Sequence, residues 1–237
     1  MEDARFNKAQ NPVIDDATKT ATVQRSGAYE GFLKCLMQGV FRPGRLVTQR
    51  EICDATGSPI TAVREALKRL EGEGIVELIA KKGVILREIT ADEVREIYQL
   101  RKLVEVPAVR IYALNHDPEE VATLRRKTME IINAPMETAE QRQALVQQRT
   151  QLDWGLHQTF LRALQSSLVD TIFRNLETRQ MLVRLQLPPR YLSHGEAFAE
   201  HHEILDAILE RAPDKAAQLL ADHLDTAKQR FLDAIEY

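Results

Sequence analysis

Between residues 48 and 86 the start and stop signals are so closely spaced that few folds satisfy all of them. Thr48-Gln49-Arg50-Glu51 reads as a capping box, in which the threonine oxygen accepts from a first-turn amide while the glutamate reaches back. The helix it opens ends near Ala55, with Gly57 in the turn. Ser58 is placed to cap a third helix with Pro59 in its first position, and Val63, Ala66, Leu67 and Leu70 form its apolar stripe. Gly72 and Gly74 stop that helix. Ile75-Val76-Glu77-Leu78-Ile79 and Val84-Ile85-Leu86 then read as two strands joined through Ala80-Lys81-Lys82-Gly83. Upstream, Tyr29, Phe32, Leu33, Leu36 and Val40 recur at helical spacing until Phe41-Arg42-Pro43-Gly44 breaks the pattern. Residues 27–89 therefore predict three helices and a hairpin, a winged helix-turn-helix by order and length.

The flanks differ. Residues 1–26 are polar without a sustained apolar period and predict a flexible arm. From residue 90 to 237 the pattern is helical, with helices expected at about 92–115, 118–133, 138–165, 167–187, 195–211 and 213–235. Pro135, the Pro188-Pro189 pair and Pro213 divide them. The fold class is thus mainly α, an N-terminal winged domain followed by a C-terminal all-helical bundle. No apolar run reaches the roughly 18 residues of a membrane span, and the N-terminus has no basic-then-apolar leader, so a cytoplasmic location without membrane attachment is expected. Cys35 and Cys53 fall at apolar helix positions and read as buried thiols. The net charge of −3 hides an asymmetry. Residues 27–90 hold ten Lys and Arg against eight Asp and Glu, whereas residues 91–237 hold 18 against 23. A local +2 is compatible with DNA binding but does not establish it, so the placement of the cations has to carry that reading.

That placement is informative. Ile60, Thr61, Arg64 and Lys68 share one face of the third helix, opposite its apolar stripe. Thr61 and Arg64 project from the first turns, the part that enters a major groove. Arg50 lies early in the second helix, and Lys81 and Lys82 occupy the hairpin tip, where they meet phosphate or minor groove. Lys68 and Arg69 lie further along and face phosphate or solvent. The plain alternative for any one of these is a solvated helix face. The ordered set of cap, glycine turn, cationic face and basic hairpin tip favours the duplex.

The helical half holds His116, His157, His194, His201, His202 and His223. Asp153 and His157 are four residues apart and share a helix face, as two metal ligands or as an ordinary surface contact. His201 and His223 lie 22 residues apart, with the turn at Ala212-Pro213 midway, so a helical hairpin brings them level. One aspartate and three imidazoles from three helices suit zinc, nickel or manganese rather than calcium or an iron–sulfur cluster. His202 competes with His201 for the third position.

The stretch PGRLVTQREICDATGSPITAVREALKRLEGEGIVELIAKKGVILREIT resembles the winged helix of the GntR family, most diagnostically in VREALKRLEGEGIVE. The resemblance covers residues 28–89 and implies DNA contacts by Arg50, Arg64, Lys82 and Gly83. Ile60 stands where the family usually carries an arginine. An isoleucine cannot form that residue's bidentate bond to guanine, so the operator is not carried over. Residues 91–235 are similar to the ligand-binding (FCD) domain of the FadR subfamily, through IYQLRKLVEVPAVRIYA, DWGLHQTFLRAL and EHHEILDAILERAPDKAAQLLADHL. Six helices rather than seven match its VanR-type branch. That resemblance implies a divalent metal on Asp153, His157, His201 and His223, with a small carboxylate bound nearby. Arg101 matches an arginine that pairs with such a carboxylate, its alternative being a salt bridge to Glu105. Gln99 replaces an acid common in the family, and Tyr98 and Trp154 read as core.

The expected function is a homodimeric transcription regulator, most simply a repressor, whose two winged domains grip a roughly palindromic double-stranded operator. A metabolite in the bundle would shift the affinity for that operator. The alternative is a metal-dependent enzyme acting on a small organic acid. It lacks an HExxH pattern and an evident general base.

Overall fold

Thr48 starts its helix as its sequence demands. Its hydroxyl accepts from the Glu51 amide at 3.2 Å, and the Glu51 carboxylate takes the Thr48 amide at 2.7 Å. The computed structural model describes residues 16–187 and 196–235. Its contacts divide the chain into two compact units: the described residues through Phe41 with Leu46–Ile85, and Arg42–Arg45 with the described residues from Leu86 on.

In the first unit, α1 (Asp16–Met37), α2 (Gln49–Thr56) and α3 (Ile60–Gly72) pack on a three-stranded sheet of order β1-β3-β2. β1 is Leu46–Val47, β2 Val76–Ile79 and β3 Gly83–Leu86. Phe32, Leu36, Ile52, Val63, Leu67 and Leu70 form the core with Ile75 and Val84, whereas Val40, expected on the same stripe as Phe32 and Leu36, lies beyond the end of α1 and is 47% exposed. Gly57 ends α2 at φ 65°, a left-handed cap that glycine adopts without steric cost.

Three details differ from the sequence reading. α1 begins at Asp16, eleven residues into the expected arm. No proline or glycine interrupts residues 16–26, so a helix anchored by Tyr29 and Phe32 can continue backward through them. The part of the arm before Asp16 lies outside the described residues. The cap of α3 is Pro59 rather than Ser58, in extended conformation at ψ 150° and without a side-chain bond. The sequence also gave no hint of β1. Two residues are too short for periodicity, and Val47 pairs with Val84 only because Gly83 lets the backbones close. A Cβ at Gly83, where φ is 144°, would meet the Val47 carbonyl oxygen at 2.3 Å.

The second unit holds six helices among the described residues: α4 (Ala91–Asn115), α5 (Pro118–Ile132), α6 (Ala139–Arg162), α7 (Ser167–Gln186), α8 (Glu196–Leu209) and α9 (Pro213–Ile235). Capping boxes at Thr90 and Thr138 open α4 and α6. Asp117 caps α5, with Pro118 in the first turn. α4 lies along α9, α5 along α8, and α8 against α9, so inward faces of α4, α6, α8 and α9 surround one polar centre. The Pro188-Pro189 pair and His194 lie outside the described residues. No helix among the described residues is long and apolar enough to cross a membrane.

Candidate metal centre and nucleic-acid face

α6 carries Arg149, Asp153 and His157 at steps of four, one above the other on its inner face. α8 and α9 form the hairpin that their 22-residue spacing requires, and His201 Nε2 stands 3.1 Å from His223 Nε2. Asp153 Oδ1 lies 3.5 Å from His201 Nε2 and 3.7 Å from His157 Nε2. One ligand atom from each of Asp153, His157, His201 and His223 lies within 4.8 Å of the others, and all four residues are buried. His202 is outside this group. It is half-buried, with Nε2 3.7 Å from Asp206.

The partners behind these donors fix their chemistry. His157 Nδ1 contacts Glu105 Oε2 at 2.5 Å, and His223 Nδ1 contacts Glu200 Oε2 at 2.7 Å. A carboxylate there places the ring proton on Nδ1 and leaves Nε2 as a lone pair aimed at the centre. Arg101 holds Glu105 through Nε at 2.6 Å, Arg230 holds Glu200 at 2.5 Å, and Arg184 holds Asp153 Oδ2 at 2.7 Å. Burial drives the His201 pKa well below the ordinary imidazole value, aided by neighbouring His223. His223 is lowered too, chiefly by burial, against the pull of Glu200. Burial raises the Asp153 and Glu105 carboxyls, but Arg184 beside the first and Arg101 beside the second more than reverse it. Glu105 comes to about 2.

Neutral imidazoles and ionised carboxylates are the states in which these groups bind metal. The hydrogen bonding favours a cation as well. His157 Nε2 and His201 Nδ1 are buried and make no hydrogen bond among the described residues. With His223 Nε2 already an acceptor, the 3.1 Å approach of His201 Nε2 needs a proton on that nitrogen when no ion is present, whereas a cation takes both nitrogens as lone pairs. A divalent ion satisfies the converging lone pairs at once. Ligands each about 2.0–2.2 Å from one ion stand about 3 Å apart, close to the separations seen here. The four residues fit a metal.

Beside this centre is a cavity of about 80 Å³. Arg101, Arg149, Arg184 and Arg230 line it together with Asp153 and His223. Arg101 makes the salt bridge to Glu105, bonds Gln180 through Nη1 at 3.0 Å, and still faces the cavity. Tyr98 is buried and accepts from Gln180 at 2.8 Å, but it too lines the cavity, so it is more than core. Trp154 packs edge-on against Phe173 in the core. Sequence reasoning missed Glu200, Arg149, Arg184 and Arg230. Only Arg149 had a visible signal, its four-residue step from Asp153.

In the first unit, Arg50, Thr61, Arg64, Lys81 and Lys82 are all exposed. Arg64 Nε donates to Gln49 Oε1 at 3.0 Å, tying the first turns of α2 and α3 together. Ile60 is 40% exposed at the start of α3, on the solvent side with Thr61 and Arg64. Gly83 is placed differently from the other five residues. It is buried against Val47 and shapes the wing from within.

Residues 25–86 match the family described as bacterial regulatory proteins of the gntR family, and residues 96–226 match the FCD domain. The FCD match alone spans more than half the chain. The chain belongs to the GntR family of regulators, with an FCD domain as its second unit. The Nta operon transcriptional regulator of Aminobacter aminovorans is 26% identical over 196 residues, 82% of this chain and 88% of its own. The gluconate operon transcriptional repressor of Bacillus subtilis is 24% identical, over 83% of this chain and 79% of its own. A crystal structure of a putative GntR regulator from Rhodococcus sp. RHA1 superposes with a TM-score of 0.72 at 25% identity, over 90% of this chain and 99% of that one. The GntR-family chain is a DNA-binding transcriptional regulator whose second domain is an effector-binding one.

Proposed function

We propose that this regulator is a cytoplasmic homodimeric repressor whose operator affinity is set by a small carboxylate bound beside a divalent metal. The observation that carries the reading is the convergence of Asp153, His157, His201 and His223, buried together at the edge of a cavity lined by arginines. Zinc, nickel or manganese suits this donor set. A bound ion would supply a fixed positive charge at that edge. Arg101 spends Nε and part of Nη2 on Glu105, yet each terminal nitrogen keeps an N–H for a carboxylate. The name of one relative refers to gluconate, itself a carboxylate. The six helices among the described residues of the second unit support the VanR-type branch.

For the duplex, Thr61 and Arg64 are assigned to the major groove, Arg50 to the flanking backbone, and Lys81 and Lys82 to the strand beside the wing. Gly83 contributes by shaping the turn that presents Lys82. Coupling has a physical handle in the segment entering α4. Gln186, at the end of α7, donates to the Ile89 carbonyl at 3.3 Å and accepts its amide at 2.8 Å, and Arg184 on the same turn holds Asp153. An acid that draws on Arg184 acts on the turn that fastens this segment.

The test is a gel-shift titration of metal-loaded protein on fragments of its own upstream region, with and without small carboxylates. Salt-sensitive, sequence-selective binding that a carboxylate weakens is expected, and Arg64→Ala should abolish the selectivity. Binding that no carboxylate alters at any metal loading would overturn the effector assignment.

A further inference from the structure

α3 buries every apolar side chain it carries except one. Ala62, Val63, Ala66, Leu67 and Leu70 face the core, whereas Ile60 is 40% exposed on the first turn. The other large apolar side chains exposed in the first unit are Met37 at the end of α1, Val40 just beyond it, and Leu46 on β1. A single exposed isoleucine is common on a protein surface. This one is informative because it stands on the first turn of the helix assigned to the major groove.

Its neighbours sharpen the point. Ile60 shares a face with Thr61 and Arg64, both exposed. The cations further along α3 are engaged within the chain: Lys68 Nζ lies 3.4 Å from Glu65, and Arg69 Nε 2.8 Å from Glu73. Arg64 is held differently. Its Nε donates to Gln49 Oε1 at 3.0 Å, and its two terminal nitrogens make no hydrogen bond among the described residues. A fork tethered in this way from α2 keeps the donor pair that matches O6 and N7 of guanine. Ile60 lies four residues before Arg64, about 6 Å along the helix axis, which is less than two base-pair steps of about 3.4 Å. Its side chain has neither donor nor acceptor. Among the groups that bases present in the major groove, the C5-methyl of thymine is the one it gains by touching.

We propose that Ile60 is a specificity-determining residue of the operator contact, packing on the C5-methyl of one thymine in each half-site, within two base-pair steps of the guanine read by the Arg64 fork. This step rests on the assignment of α3 to the major groove. Branching at Cβ restricts the isoleucine to few rotamers, so little side-chain freedom is lost when a methyl group covers it. The other three bases lack that methyl. Their hydrogen-bonding edges lose water against an isoleucine without gaining a partner.

Full-length zinc-loaded protein is first used to select binding sites from a random-sequence duplex library, which supplies the operator. Each thymine of the selected site is then replaced by uracil, which deletes only the methyl, and each guanine by 7-deazaguanine, which deletes only the N7 acceptor. In gel-shift titrations one uracil per half-site is expected to weaken binding about fourfold, the scale of one methyl group taken out of contact. A guanine whose N7 is required should lie within two base-pair steps of that thymine, on either strand. Ile60→Ala should bind the thymine and uracil duplexes alike, and Ile60→Val should keep part of the difference. Selection with Ile60→Arg should put a G·C pair in place of that thymine. None of these changes empties the core, because Ile60 is exposed, so melting temperatures should stay close to the wild-type value. A selected site without a methyl-sensitive thymine overturns the proposal. So does a methyl effect that persists in Ile60→Ala, or one more than two steps from every N7-dependent guanine. Each of those results leaves the repressor reading intact. A library from which the wild-type protein enriches no sequence sinks that reading, and the proposal with it.

Discussion

Glu200 accepts from the His223 ring at 2.7 Å and is itself held by Arg230 at 2.5 Å, so the orientation of one proposed metal ligand depends on a residue that would not touch the ion. Such outer carboxylates fix tautomer and ring angle, and losing one typically costs about 10- to 100-fold in metal affinity. Glu200→Ala should weaken zinc by that factor in competition with a chromophoric chelator. The fold should survive, because the Glu200 side chain is 28% exposed and its loss strands no fully buried charge. Glu105 offers no such clean test. Removing it leaves Arg101 buried and unpaired, a cost of about 3–5 kcal/mol. A different acid sets a pH signature. Burial lifts the Glu177 carboxyl to about 7 from an ordinary 4.5, against the hydrogen bond from Gln158 that lowers it. Between those values the folded chain holds a proton that the unfolded chain has released, so this group's contribution to stability falls as pH rises from 4.5 through 7. Glu177→Gln removes the dependence. Its melting temperature should match the wild type near pH 4.5 and exceed it above pH 7, and a constant offset across that range would contradict the assignment.

Among the elements, α2, α3 and the hairpin were legible because each announces itself locally. Thr48 and Glu51 make a cap, Gly57 a left-handed stop, and Val63, Ala66, Leu67 and Leu70 a stripe that is buried in the fold. The convergence of Asp153, His157, His201 and His223 was legible through spacing combined with family resemblance, since a four-residue step and a hairpin midpoint are readable in one dimension. What was not legible depends on contacts between distant helices. Arg184 on α7 reaches Asp153 on α6, and Arg230 on α9 reaches Glu200 on α8. Neither α7 nor α9 carries a pattern that singles those arginines out from the other exposed-looking cations. The same holds for Gln186, which bonds both backbone groups of buried Ile89 at the entry to α4. Gln186→Ala strands a buried amide and carbonyl, which costs about 1–3 kcal/mol of stability. Beyond that cost, the ratio of operator affinities with and without the acid should fall toward one while the acid still binds. A variant that keeps the full ratio would show that this fastening plays no part in coupling.

At the scale of the whole molecule, the proposed homodimer needs a surface on which to form, and α4 has an exposed apolar one. Leu103 is 67% exposed, Leu114 54% and Ile111 40%, and Pro107 is exposed between them, an apolar stripe at helical spacing in a chain whose other long stripes are buried. A second copy of the chain covering that stripe would pair two winged domains, and the consequence is measurable in two independent ways. Leu103→Glu with Leu114→Glu should convert a dimer seen by light scattering at micromolar concentration into a monomer, since burying two carboxylates without partners is prohibitive. Salt dependence gives the second readout. Each phosphate contact contributes about −0.9 to the slope of log K against log salt. If Lys82 touches one phosphate per winged domain, Lys82→Ala should flatten the slope by about 1.8 in the dimer and by about 0.9 in the Leu103→Glu, Leu114→Glu background. The same flattening in both backgrounds would mean that one winged domain alone holds the duplex, whatever the solution state of the protein.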